Sequence, residues 1–181
     1  KNVKESIKKK LRVEVKELKQ LNLKKILKIE VNTKQVGSDR LANAISVINN
    51  KDNFIILDFG TATTFDVVLK NKYKGGIIAP GVNLSLKTLV EKAKLIPNTK
   101  LTKIKNIIGK NTQNAVRSGF YWGYQGLIEN MINLIEKKYK KNFKIIFTGG
   151  LSHLFKDTIK KNIKIDRDLT IKGLLRLVDS I

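Results

Sequence analysis

The stretch that decides the fold is Ile55-Ile-Leu-Asp-Phe-Gly-Thr-Ala-Thr-Thr-Phe-Asp-Val-Val68. An apolar strand delivers Asp58, the chain turns at Gly60, three threonines follow, and a second apolar strand begins through Asp66. A glycine at the turn lets the backbone come close to an anion, and free N–H groups in such turns bind one. Thr61, Thr63 and Thr64 add hydroxyl donors, and the Asp58 carboxylate suits a hydrated cation. The same residues also read as a plain β-hairpin, with Asp and Gly serving the turn and threonines favouring strands. The flanking segments weigh on that choice.

Strands are expected at Ile26–Val31, Phe54–Leu57, Phe65–Leu69 and Lys144–Phe147, with a turn at Asn71–Lys74 and a strand and loop over Gly75–Gly81. Apolar spacing predicts helices over Asp39–Asn49 with Ser38 as N-cap, Leu84–Ala93, Gln113–Lys138 and Asp168–Val178. A further helix is expected after Thr148-Gly149-Gly150, and Lys1–Gln20 reads as a charged helix with Ile7, Leu11, Val15 and Leu18 on one face. Pro97–Lys105 reads as an exposed basic loop. Gly119, Gly123 and Gly126 fall within one long helix, where glycine costs stability, so another helix or a ligand is expected to approach there. Alternating strands and helices define an α/β chain.

Composition narrows the function. With no cysteine among 181 residues, disulfides and thiolate metal sites are excluded. No apolar run has the length of a membrane span and no secretory signal is visible, so a cytoplasmic protein without membrane attachment is expected. The net charge of +22 invites a nucleic-acid reading, yet it comes from 32 Lys and only 5 Arg, spread through every segment. Arg is the residue suited to bidentate phosphate and base contacts, so a solvated basic surface is favoured over a specific nucleic-acid site.

Three other segments carry chemistry. Gly37-Ser38-Asp39-Arg40 sets a carboxylate beside a guanidinium at a helix start, where backbone donors favour anions. Asp39 suits proton acceptance and Arg40 a carboxylate or phosphate, although a capping turn with a surface arginine has the same sequence. Gly109-Lys110-Asn111-Thr112 precedes the long helix and is not a Walker A loop, since Ile104 stands where glycine is required. Thr148-Gly149-Gly150 after a strand carries little signal by itself and reads equally as a plain turn. His153, the single histidine, receives no role.

Taken in order, Val36–Asn43, Asp58–Asp66, Gly75–Gly81, Ile108–Thr112, Ser118-Gly119 with Gly123–Gly126, and Thr148–Gly150 resemble the type III pantothenate kinases. The resemblance implies the α/β fold of actin, the Hsp70 ATPase domain and sugar kinases, with two similar subdomains about a nucleotide cleft. Residues 1–69 would then be a remnant of the first subdomain with the central phosphate hairpin, and 70–181 the second. It implies a cytoplasmic homodimer that transfers the ATP γ-phosphoryl group to pantothenate, the first step of coenzyme A synthesis. Asp39 would be the proton acceptor, and Gly37, Ser38, Asp39, Arg40 and Thr112 would contact pantothenate. Gly60, Thr61, Gly149 and Gly150 would contact the nucleotide. Asp58 would hold the cation, with Mg²⁺ accompanying ATP and K⁺ or NH₄⁺ as the monovalent ion.

The family's opening Asp-x-Gly-Asn-Thr phosphate loop has no counterpart among the 36 residues before Gly37. The first subdomain is therefore expected to be largely missing from this chain, as in a fragment of a longer one. A chain that truly lacked that loop would be expected to turn over little, as a non-catalytic relative. A charge-driven nucleic-acid binder is the remaining reading.

Overall fold

The computed structural model describes residues 3–179. Its centre is a six-stranded mixed sheet of β1 (Lys28–Ile29), β2 (Asn53–Phe59), β3 (Ala62–Leu69), β4 (Lys72–Pro80), β5 (Lys144–Gly149) and β6 (Ile163–Ile165). The strands lie in the order β1-β4-β3-β2-β5-β6. β2, β3 and β4 form an antiparallel meander, while β5 runs parallel to β2, β6 parallel to β5, and β1 parallel to β4. The position between residues 69 and 70 is the turn joining β3 to β4, two neighbours in this one sheet.

The helices are α1 (Val3–Leu11), α2 (Ser38–Val47), α3 (Val82–Lys92), α4 (Thr112–Tyr139), α5 (Ser152–Phe155) and α6 (Leu169–Val178); α2 and α6 cover one face of the sheet and α4 and α5 the other. Because strand side chains alternate with period two, β2 serves two cores at once. Phe54 and Ile56 face α2 and α6, packing with Leu41, Ile45, Leu169 and Leu177. Ile55, Leu57 and Phe59 face α4, packing with Tyr121, Ile128 and Ile132. Burial on both faces accounts for the unbroken apolar run Phe54–Leu57.

Several expected boundaries move. The helix expected over Lys1–Gln20 stops at Leu11, and a single 3-10 turn at Leu18–Gln20 buries Leu18. Val3, Ile7 and Leu11 leave α1 without a buried residue, so packing does not extend it. The strand expected over Ile26–Val31 shrinks to Lys28–Ile29. Ser38 is the first residue of α2, and Gly37 is its N-cap. The turn expected at Asn71–Lys74 is mostly strand: β4 starts at Lys72, and a bulge after Val67 admits the extra residue before Gly75, whose φ is +96°. Pro97–Lys105 is only partly exposed, since Thr99 is buried and Leu101 and Ile104 pack on the α4 side. Gly119, Gly123 and Gly126 face open space on α4, and no described residue approaches them.

Candidate active site

Asp58 stands one step past Ile56 on the α2/α6 face, where β2 runs out of apolar partners. Its register neighbours are Thr64 on β3 and Thr148 on β5, so the expected carboxylate and hydroxyls do meet at one end of the sheet. The same alternation separates the three threonines. Thr61 is exposed in the turn. Thr63 points into the opposite core with its hydroxyl unpaired, and Thr64 donates to Asp66 at 3.3 Å. Of the expected hydroxyl donors, Thr61 alone is presented at the turn.

Gly60 and Thr61 lie beyond the end of β2, and Gly149 and Gly150 end its parallel neighbour β5. A crevice outside the carboxyl ends of parallel strands is where α/β sheets commonly bind ligands. Gly149 has a φ of +82°, and a Cβ there would lie 2.6 Å from Asp58 Oδ1 and 2.7 Å from the Phe59 backbone nitrogen. Glycine is thus required both for the conformation and for the space beside the carboxylate. A Cβ at Gly150 would meet none of the described residues outside its chain neighbours.

The start of α2 brings Asp39 and Arg40 to the same end. Asp39 is exposed, and its Oδ1 accepts the Arg40 backbone N–H at 2.9 Å. A Cβ at Gly37 would collide with that oxygen, so glycine here leaves room for the Asp39 side chain. Arg40 does not extend freely into solvent. Its Nε and Nη2 donate to Asp66 Oδ1 at 2.9 and 2.7 Å. Asp66 is 0% exposed and also accepts from the Tyr73 hydroxyl at 2.5 Å. Gly76, the register partner of Asp66, makes space for this pair: a Cβ there would lie 2.6 Å from Arg40 Nη2.

Three carboxylates, Asp39, Asp58 and Asp66, therefore stand near one another in a chain of net charge +22. Burial raises the Asp58 pKa above the ordinary carboxylate value; the Asn43 amide opposes that rise, and the Asp39 and Asp66 charges add to it. Burial also raises the Asp66 pKa, against the pull of Arg40, Tyr73 and Thr64. For Arg40, desolvation opposes the charged form, but the Asp66 contact outweighs it and the pKa is raised.

Asp58 Oδ2 is held by Asn43 Nδ2 at 3.2 Å, while Oδ1 lies beside Gly149 and receives no donor among the described residues. An anionic oxygen with one face open, framed by glycines and by like charges, fits a hard cation. No three Asp, Glu or His side chains among the described residues converge as a metal cage. A cation on Asp58 would take its other ligands from water or phosphate oxygens, as Mg²⁺ commonly does.

Thr112 does not join this cluster. It heads α4, which packs on the opposite face of the sheet, and shares no hydrogen bond or ion pair with Asp39, Arg40 or Asp58. Asn111 caps that helix, accepting from the Asn114 N–H at 2.9 Å. Sequence reading left Asn43, Asp66, Tyr73, Gly76 and Thr170 without a role. Asp66 and Gly76 stood inside quoted motifs, whereas Tyr73 and Thr170 carried no local signal.

The sheet order, its antiparallel meander with two parallel additions, and helices on both faces make this the α/β fold of the actin, Hsp70 and sugar-kinase ATPases, with a polar site at the carboxyl end of β2. Solved structures resemble it at the level of fold. A Campylobacter jejuni protein described as a conserved Baf family transcriptional activator matches 90% of this chain and 75% of its own, with 21% identity and a TM-score of 0.65. The Alp12 filament structure matches 79% of this chain and 53% of its own, with 16% identity and a TM-score of 0.52. The family profile described as type III pantothenate kinase matches residues 1–134. A type III pantothenate kinase of Pelagibacter ubique is 63% identical over 174 residues, covering 96% of this chain and 70% of its own length. Another, of Paramagnetospirillum magneticum, is 42% identical over 145 residues, covering 79% of this chain and 56% of its own. The chain belongs to the type III pantothenate kinase family.

Proposed function

We propose that this chain carries the acceptor side of a pantothenate kinase, transferring the γ-phosphoryl group of ATP to the pantothenate hydroxyl. The observation that carries this reading is the convergence of Asp39, Arg40 and Asp58 at the carboxyl end of β2, in a member of this family. Phosphoryl transfer asks a protein for positioning and charge neutralisation more than for covalent chemistry.

Asp39 accepts the hydroxyl proton as the oxygen attacks phosphorus. Its Oδ1 is already engaged by the Arg40 N–H, which leaves Oδ2 for the substrate. Arg40, steered through Nε and Nη2 by Asp66, keeps Nη1 for the pantothenate carboxylate or the transferring phosphoryl oxygens. The Gly60-Thr61 turn and Gly149-Gly150 lie against the nucleotide. Asp58 Oδ1 holds the cation, Mg²⁺ with ATP or the monovalent K⁺ or NH₄⁺; when bound it neutralises phosphate charge. Thr112 reaches pantothenate only from the other layer, and the same reading includes a homodimer. No helix among the described residues is long and apolar enough to cross a membrane, and a cytoplasmic location goes with a substrate of central metabolism. The scattered lysines give nucleic acid no specific site.

The test is mass spectrometry of pantothenate incubated with ATP, Mg²⁺, K⁺ and the full-length protein. Phosphopantothenate formation supports the reading. A folded protein that binds ATP without forming that product refutes it.

A further inference from the structure

We propose that Asn43 and Thr170 form a relay that fixes the Asp58 carboxylate, making the C-terminal helix α6 a working part of the site. The Thr170 hydroxyl donates to Asn43 Oδ1 at 2.7 Å, and Asn43 Nδ2 donates to Asp58 Oδ2 at 3.2 Å. The chemistry sets the direction of this chain. An ionised carboxylate only accepts, so it selects the amide nitrogen, and the amide oxygen is left to take the hydroxyl proton.

Asn43 is 0% exposed on the inner side of α2. A buried amide is costly unless both ends are satisfied, and here one end is satisfied by the site and the other by α6. Two features hold Thr170 in reach. Gly173, one turn further along α6, packs so closely on α2 that a Cβ would collide with the Ala42 carbonyl. Asp166 ties the approach to α6 onto the sheet: its N–H donates to the Phe147 carbonyl at 2.9 Å, and both its oxygens accept from Lys172 at 2.7 Å.

The consequence is a carboxylate that cannot rotate freely. With Oδ2 occupied, Oδ1 is presented beside Gly149, where the nucleotide and its cation are proposed to lie. Asn43 and Thr170 are positioning residues, since neither is given a contact with substrate. The inference rests on the kinase reading in taking Asp58 as the ligand of a cation that accompanies the nucleotide.

The experiment is calorimetric titration of the full-length protein with a non-hydrolysable ATP analogue, at varied Mg²⁺ and K⁺, alongside the pantothenate KM. Partners of metal ligands commonly change affinity by about 10- to 100-fold, so Thr170→Val is expected to weaken cation-dependent nucleotide binding by about ten-fold. Thr170→Ser, which keeps the hydroxyl, restores it, and the pantothenate KM stays at the wild-type value in both. If Thr170→Val does not fold, Thr170→Ala with the same serine rescue takes its place. A folded hydroxyl-less variant with wild-type cation dependence overturns the relay. So does one that loses nucleotide and pantothenate affinity equally. Wild-type protein that binds the analogue but makes no phosphopantothenate refutes the pantothenate reading alone, and the titration still decides the relay. Wild-type protein that binds no analogue at any cation concentration overturns the Asp58 assignment and the relay with it.

Discussion

Arg40 Nη2 lies 2.7 Å from Asp66 Oδ1, and Asp66 is wholly buried while Arg40 is nearly so. Such a pair is weak evidence for net stability but strong evidence for dependence of each partner on the other. Asp66→Ala leaves a buried guanidinium unpaired and is expected to cost about 3–5 kcal/mol. Urea denaturation reads that loss. Tyr73→Phe removes one donor to the same carboxylate and is expected to cost about 1 kcal/mol. It is also expected to raise the pantothenate KM more than it lowers kcat, because Arg40 remains present but less firmly held.

Asp58 and Asp66 both have pKa values raised by burial, which fixes the sign of their contribution to stability. A carboxyl that holds its proton more tightly in the folded state favours folding below its unfolded pKa. That advantage is lost as pH rises from the unfolded value through the raised folded value. Asp58→Asn is therefore expected to raise the thermal midpoint at neutral pH and to flatten the decline in stability above the ordinary carboxylate range. It is also expected to weaken cation-dependent ATP use. Thermal melts from pH 4 to 8, compared with wild type, test the first effect, and cation titrations of activity the second. A midpoint lowered at neutral pH would contradict the electrostatic account.

Gly149 joins backbone and site. Gly149→Ala places a side chain at a φ of +82° and against Asp58 Oδ1. Strain and crowding together are expected to cost about 1–3 kcal/mol. Nucleotide affinity should fall as well. Gly150→Ala, with open space around it, should leave stability within about 0.5 kcal/mol. A thermal-shift comparison of the two variants separates required from incidental glycine.

Much of this was legible in the sequence because it was local. The run through Asp58 and Gly60 carries its own strand, turn and strand, and Ser38–Val47 carries its own helical spacing. What stayed hidden depends on partners distant along the chain. Tyr73 read as a turn residue because it follows Asn71 and Lys72, yet β3 and Asp66 make it a buried strand position. Thr170 is 127 residues from the asparagine it supports, and no spacing rule links them. The charged N-terminal segment has helical periodicity through Leu18, but α1 ends at Leu11 because its apolar side finds nothing to cover it among the described residues. The α4 glycines illustrate the converse: their spacing suggests a close neighbour, and the described residues provide none.

The most direct test of the central claim is pantothenate phosphorylation by full-length wild type and Asp39→Asn, followed by mass spectrometry, with ATP binding measured on the same samples. Removing a general base typically costs about 10²–10⁴ in rate. The account predicts phosphopantothenate from wild type, a fall of that size in kcat for Asp39→Asn, and ATP affinity preserved in the variant. Near-normal turnover by Asp39→Asn, or no product from folded wild-type protein that binds ATP, would contradict it.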